Sequence, residues 1–475
     1  MAMFLNLPKV PLPGPKTMPV LGSKAAVLRF LGDTVEGMLS LHETYGELVA
    51  MSRDDPGWLS VAGGELCRAV LSRADLYPNF IESPIRMPEG SAAGTIKTHN
   101  ILALNGEPHR QTRRQILTGF TKERLRNYGE KMVAYTSRRI EGWTIPGRFE
   151  ARTQMQLLSL EIAMGCLFGL GLEESRELCQ ASARLMDLVL SPIVALLPLR
   201  IPGTPYANFM TSCDQVVDGF QQLIERRRRE GLGEDVLSAL ITAEDEQGNK
   251  MSDRQLAGQA STLFNASHDT TAMTLTWACL MLATHTEVQD AVAQEVEAAL
   301  GGAPPSLADL ERMPLLGRVI DETLRLFPAT PNLFFRRSKV PTTLGGHELP
   351  AGVTVVISPL VTHRDPKLFP DPKRFRPARW EQLRVGPYEY IPFGAGVRRC
   401  LGAGFAGQAT RLALARILQC ARLAAPRAQT IDYKAKGVVL GLERELDLEL
   451  LPPGEALPQP AEIDGSISRL VEFGG

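Results

Sequence analysis

The stretch Phe393-Gly394-Ala395-Gly396-Val397-Arg398-Arg399-Cys400-Leu401-Gly402 holds the residues whose types and spacing best suit chemistry. Two glycines two positions apart permit positive φ and a tight turn. Such a turn aims Cys400 outward. A helix starting just beyond it sets its positive end beside the sulfur and favours the thiolate. Arg398, two residues earlier, can pair with a carboxylate of a bound group. A thiolate held this way, with no other soft ligand nearby, suits a haem iron. A lone cysteine in a Gly-rich turn is more often an inert buried thiol. The pattern Phe-Gly-x-Gly-x-Arg-x-Cys-x-Gly, however, should match by accident in far fewer than about one chain in ten thousand.

Other residues ask for partners. Glu322 and Arg325 are three apart on a helical stretch, and Glu322 shares its face with Leu315, Val319 and Leu326. A carboxylate beside an apolar stripe must be paired. Asp269 and Thr270 put an acid and a hydroxyl into an otherwise apolar helix, which costs free energy unless they bond to something. Gly402 to Gly407 spells Gly-x-Gly-x-x-Gly, the dinucleotide fingerprint. It lacks the preceding strand and the acidic residue about 20 positions on, so that reading is rejected.

The elements that position these residues are mostly helical. Ser252 and Gln255 form a capping box that opens a long apolar helix, roughly 48 Å at 1.5 Å per residue. Thr286 and Gln289 suggest a second box, and Gly301-Gly302 a stop. Pro314 opens a further helix and Pro328 ends it. Beyond Pro328, short β-type runs alternate with Pro- and Gly-rich turns as far as Gly396, and a last helix spans about 402–422. The expected fold is mainly α with a small β portion. It has a proline-rich arm over 1–25, a single large domain over 26–451 and a Pro/Gly-rich tail over 452–475.

Composition narrows the class. The 475 residues carry 52 Lys plus Arg against 53 Asp plus Glu, a formal net charge of -1, and are 44% hydrophobic. That balance fits a globular chain and argues against a general nucleic-acid binder. Seven cysteines without a CxxC pair make neither a disulfide framework nor a structural zinc site, as in a reducing cytoplasm. The apolar stretches at 188–199 and 270–286 are too short, or too rich in proline and threonine, to span a bilayer. No signal peptide is expected at the start.

The Cys400 segment resembles the haem-binding loop of the cytochromes P450, the haem-thiolate monooxygenases. Asp321-Glu322-Thr323-Leu324-Arg325 resembles that family's Glu-x-x-Arg element. Phe375-Arg376-Pro377-Ala378-Arg379-Trp380 resembles the loop whose arginine completes a Glu-Arg-Arg network. Ala266-Ser267-His268-Asp269-Thr270-Thr271 resembles the oxygen-activation motif of the long central helix, and the start Pro13-Gly14-Pro15-Lys16-Thr17-Met18-Pro19-Val20-Leu21-Gly22 is similar to the family's too.

The resemblance implies a cytochrome P450 fold whose long central helix passes over haem b (iron protoporphyrin IX), with Cys400 as its metal ligand. Phe393, Gly394 and Gly402 would shape the loop, while Glu322, Arg325 and Arg379 form a structural network. His109, Arg113, Arg336 and Arg398 would bind the propionates; of Arg336 and Arg337, strand alternation sends only one inward. Asp269 and Thr270 would deliver protons to bound dioxygen. The family usually has glycine where Ser267 stands, so the groove there differs, and His268 beside it is expected to be packed or solvated. The pocket would draw on 81–104, a lid over 188–205, Leu263, Phe264, Ala266, Leu333, Phe334, Val439 and Leu440. The implied activity is insertion of one atom of O2 into an apolar small molecule: a fatty acid, terpenoid, steroid or polyketide-like compound. Electrons would come from a ferredoxin or flavodoxin with its reductase, docking near Arg110, Arg114 and Arg399. The enzyme is expected to be a cytoplasmic monomer. A haem-thiolate peroxygenase or isomerase, or a non-catalytic haem sensor, are the alternatives.

Overall fold

The structure, a computed structural model, describes residues 5–17, 24, 26, 27, 30, 32–81 and 83–473. The rest of the proline-rich start, including Met18 to Gly22, lies outside the described residues. The chain is mainly helical with a small sheet portion. The described residues fall into two compact units, neither continuous in sequence: 81–131 and 159–269 in one, and those of 5–80, 132–158 and 270–473 in the other.

The first unit is built of helices. Its longest, Pro205–Glu230, starts where the Thr204 hydroxyl accepts from the Ala207 amide and Pro205 occupies the first turn; Gly231 ends it. It packs on Leu172–Val189 and on Asp253–Ser267. Phe168, Phe220 and Phe264 meet among these helices, with ring centroids 5.3 to 6.4 Å apart. The predicted capping box is present: the Ser252 hydroxyl accepts from Gln255 N–H at 3.3 Å, and Gln255 Oε1 accepts from Ser252 N–H at 2.8 Å. Arg226, Arg227 and Arg228 bond Glu174, the Phe168 carbonyl and Asp253.

The central helix is not continuous as predicted. It runs over Asp253–Ser267, bends at His268 and resumes as Asp269–Thr284. Every residue from Thr271 to Ala283 is buried, as the all-round apolar pattern requires. The expected box at Thr286 and Gln289 is absent. Gln289 turns inward, donating to the Leu282 and Leu423 carbonyls and accepting from Leu423 N–H, which ties the Thr286–Leu300 helix to a strand.

The second unit carries the sheets. Leu48–Ser52 pairs antiparallel with Asp55–Val61, which pairs parallel with Thr354–Ile357; Arg336–Arg337 closes the far edge. Leu59, Val61, Val355 and Ile357 bury this sheet against Cys67, Val70 and Leu71. The proline-rich arm lies along one margin, the Pro13 and Pro15 carbonyls accepting from Ala50 and Arg53 N–H at 2.8 Å. Gly14 is required there, because a Cβ would come within 2.3 Å of the Ala50 oxygen. The expected tail is partly folded. Ile463–Asp464 pairs with Gln429–Thr430, and Ile467, Leu470 and Val471 are fully buried. Pro and Gly mark turns, but spaced apolar residues decide burial.

Candidate functional site

The Cys400 loop hangs from a buried ionic cluster on the Pro314–Leu326 helix. Glu322, wholly buried, accepts at Oε1 from Arg325 Nη2 and Arg379 Nε, both at 2.9 Å, and from Arg376 N–H at 3.0 Å. Its Oε2 accepts from Arg325 Nε at 2.9 Å and Trp380 Nε1 at 3.0 Å. The remaining Arg325 donors reach the His363, Pro372 and Arg374 carbonyls, so all five of its N–H groups are used. Arg379 gathers the Pro370, Asp371 and Arg374 carbonyls. Two guanidiniums therefore hold four carbonyls of the stretch 370–374, which lies outside the helices and strands.

His363 passes this order to the loop. Its carbonyl accepts from Arg325, and its Nε2 accepts from Ile391 N–H at 2.8 Å. Burial, then the Arg325 and Arg364 charges, push its pKa down to about 3, so it stays neutral and can accept. Tyr390 donates to the Asp321 carbonyl at 2.9 Å and rests on Trp380. From Ile391 the chain turns through Gly394 (φ 65°) and Gly396 (φ 67°). A Cβ on Gly396 would lie 2.4 Å from the Leu71 oxygen. Cys400 N–H closes the loop on the Phe393 carbonyl at 2.8 Å, and the helix Ala403–Cys420 begins three residues on. Of the seven cysteines, Cys400 alone is exposed; the others are buried or half-buried.

Arg336 resolves the choice between adjacent arginines. It is 5% exposed, whereas Arg337 turns away to stack on Phe80 and bond the Thr354 hydroxyl. Arg336 Nη1 is buried without a hydrogen-bond partner. Burial, then the Arg398 charge, push its pKa down to about 10. Two neighbouring cations, one with an unsatisfied donor, are a cradle for an anion. With the exposed thiol, that donor set fits a haem carrying carboxylates.

The other expected site residues are placed as follows. His109, buried, and Arg113, half-buried, share one face of the Gly106–Leu117 helix in the first unit. Asp269 and Thr270 open the Asp269–Thr284 helix. Leu263, Leu333, Phe334 and Val439 are half-buried and Ala266 is exposed. Two further pocket candidates are buried. Phe264 is 2% exposed and locked among Phe168, Phe220 and His268. Leu440 is fully buried, its carbonyl accepting from Trp277 Nε1 and its N–H bonding Ala329. Apolar type does not tell a pocket wall from core.

Two docking charges are already engaged: Arg110 bonds Glu107, and Arg114 pairs with Glu246. Arg399 stays exposed beside an open depression of about 620 Å³, which Phe393, Ala395, Gln408 and Arg411 also line. Residues 188–205 expose Leu190, Ile193, Leu196, Leu197, Leu199 and Ile201. Among the described residues no single helix is long and apolar enough to cross a membrane. Sequence reasoning missed His363, Tyr390 and the role of Trp380; only Trp380 had a signal, standing next to Arg379.

Comparison with known proteins gives the family. The cytochrome P450 family model matches residues 12–447. Cyclooctatin synthase of Streptomyces melanosporofaciens is 32% identical over 368 residues, covering 74% of this chain and 78% of that one. Pentalenene oxygenase of Streptomyces avermitilis is 31% identical over 319 residues, 65% of this chain and 70% of that one. A solved structure, the retinoic acid bound cyanobacterial CYP120A1, superposes with a TM-score of 0.81 at 23% identity, over 94% of this chain and 100% of the other. That family binds haem through a cysteine thiolate and acts with O2, a redox partner and a small-molecule substrate. With its thiol loop, its anion cradle and a profile match over most of its length, the chain belongs to the cytochrome P450 family and is an oxidoreductase of the monooxygenase type.

Proposed function

We propose that this enzyme binds haem b through Cys400 and hydroxylates or epoxidises a terpenoid, drawing electrons from a separate ferredoxin or flavodoxin and its reductase. The observation that carries the haem reading is the pair Arg336 and Arg398 beside the Cys400 loop, where the Arg336 Nη1 donor has no protein acceptor. When bound, the haem supplies the oxygen-activating iron chemistry. The chain's own residues do the rest. Cys400 supplies the thiolate, and the Glu322 cluster and His363 fix the loop so that the sulfur keeps its place. Arg336 and Arg398 neutralise a haem carboxylate; His109 and Arg113 are proposed for the same task by resemblance. Asp269 and Thr270 hold and hand on protons at the start of their helix. Support for a terpenoid comes from the cyclooctatin and pentalenene relatives. Arg399 and Arg411, beside the open depression, suit an electron donor with an acidic face.

Reduced, CO-treated protein should show the red-shifted Soret band of thiolate ligation, and Cys400→Ala should lose it. A normal band in that variant overturns the ligand assignment. Reconstituted with NADPH and surrogate redox partners, the enzyme should oxygenate a terpene alcohol or hydrocarbon. Product formed only with added peroxide would overturn the monooxygenase cycle in favour of a peroxygenase.

A further inference from the structure

The bend in the central helix is built by side chains. The Phe264 carbonyl accepts from the Ser267 hydroxyl at 2.9 Å and from His268 Nδ1 at 3.0 Å. The buried Ser159 hydroxyl donates to the His268 carbonyl at 2.7 Å. A carbonyl can only accept, so Nδ1 must carry the hydrogen. That fixes the tautomer and leaves Nε2 as the nitrogen that gains or loses a proton. The ring is also held against Phe264, with centroids 5.0 Å apart. Clamped at one edge and packed on one face, it presents Nε2 at 3.7 Å from Asp269 Oδ1. The Asp269 side chain is 49% exposed, against 19% for His268, so the acid is the looser partner.

We infer that His268 is a positioning residue for Asp269, holding the carboxylate in its working direction when Nε2 is protonated and releasing it when Nε2 is bare. This rests on the proposed role of Asp269 in proton delivery. Protonated, the ring offers Nε2–H to the carboxylate, a charge-assisted bond that a small rotation of the exposed acid completes. Deprotonated, Nε2 is an acceptor facing an anion, and the attraction turns to repulsion. The proton comes from and returns to solvent, and no electrons move. Ser159 approaches from Ala151–Ala163, whose nearby acidic residue is Glu161, and Phe168 and Phe220 behind Phe264 are uncharged. Among the described residues Asp269 is the acid within ion-pairing distance of the ring. Where the family usually has glycine at 267, Ser267 and His268 here shape the bend through bonds that also aim the acid.

The test is histidine-selective NMR on the full-length, haem-loaded protein in its diamagnetic reduced, CO-bound form, with the seven histidines assigned by loss of one signal in His268→Asn. Removing the carboxylate with Asp269→Asn should shift the His268 Nε2 resonance, because the ring loses the partner 3.7 Å away. His268→Asn keeps a donor for the Phe264 carbonyl but cannot carry the positive charge. It should keep the thiolate Soret band and thermal stability, yet divert roughly two- to fivefold more reductant to peroxide, with a flattened pH profile. An unmoved His268 Nε2 resonance in Asp269→Asn, or wild-type coupling and pH profile in His268→Asn, would overturn the inference and leave the ring as packing. The resonance is read without turnover, so it separates from any failure of the monooxygenase reading.

Discussion

Glu322 and Asp269 are both carboxylates in helical stretches, and the chain treats them in opposite ways. Glu322 accepts hydrogen bonds from four residues in complete burial, and two of them, Arg325 and Arg379, also hold backbone carbonyls in place. Asp269 is half-exposed, with one histidine 3.7 Å away. The first arrangement is over-determined and has no freedom left to work with. The second has few restraints, so its geometry answers to protonation. Charge that builds the fold is buried and saturated; the charge proposed to move protons, at Asp269, keeps access to solvent.

The contrast is broken most severely at Glu322. Glu322→Ala leaves two guanidiniums facing each other in the interior and should cost roughly 3–5 kcal/mol. The expected outcome is protein that fails to accumulate or fails to retain haem, read from expression yield and from the haem-to-protein absorbance ratio. Asp269→Asn should leave both at wild-type levels. Equal damage from the two substitutions would erase the distinction between scaffold and working acid.

Arg336 sharpens it next, because its effect should change sign with ligand. In apo-protein, Arg336→Leu removes a buried cation that repels Arg398 and has one unsatisfied donor, so thermal stability should stay level or rise. With haem, the lost charge-assisted bonds should weaken binding roughly 10- to 100-fold, measured by haem transfer to an acceptor protein. A stability loss in apo-protein would mean that Arg336 serves the sheet edge instead.

How far the sequence carried depended on whether a residue's partners lie nearby in the chain. The Ser252 capping box, the Pro314 start and the Gly301 stop are local devices, and each is found where predicted. Glu322, Arg325 and Arg379 could be named because their motifs are compact. Gln289 and His363 could not, since their partners Leu423 and Ile391 lie far along the chain. Phe264 and Leu440 show the same limit from the other side: apolar type suggests a pocket wall, but the distant side chains that bury them are not written beside them. The bend at His268 was hidden because the Ser159 hydroxyl that anchors it belongs to a distant helix.

A smaller effect separates His363 from the carboxylates. Its pKa in the fold, about 3, lies below its ordinary value of 6.5. The unfolded chain therefore binds the extra proton first. The stability His363 contributes is complete above pH 6.5 and is lost as pH falls toward 3, at on the order of 1 kcal/mol per pH unit. His42, buried and held at about 4, acts in the same direction. His363→Gln retains an acceptor for Ile391 N–H without a titrating ring. Thermal scans between pH 7 and 5 should show a shallower acid decline in that variant, and an unchanged slope would place the acid sensitivity elsewhere.

The least expected change is at Ser267, and it tests whether the bend needs a hydroxyl. Ser267→Gly restores the residue usual in the family and removes one of two side-chain donors to the Phe264 carbonyl, leaving His268 Nδ1 as the other. The lost hydrogen bond and the added backbone freedom should together cost about 1 kcal/mol, a shift of ~1–2 °C for a chain of this size. Because Phe264 still holds the His268 ring, the His268 Nε2 resonance should not move. Ser159→Ala removes the anchor on the His268 carbonyl and should disturb that resonance more than Ser267→Gly does. If Ser267→Gly displaced it further than Ser159→Ala, the bend would be set from within the central helix, and the packing helix would only cover it.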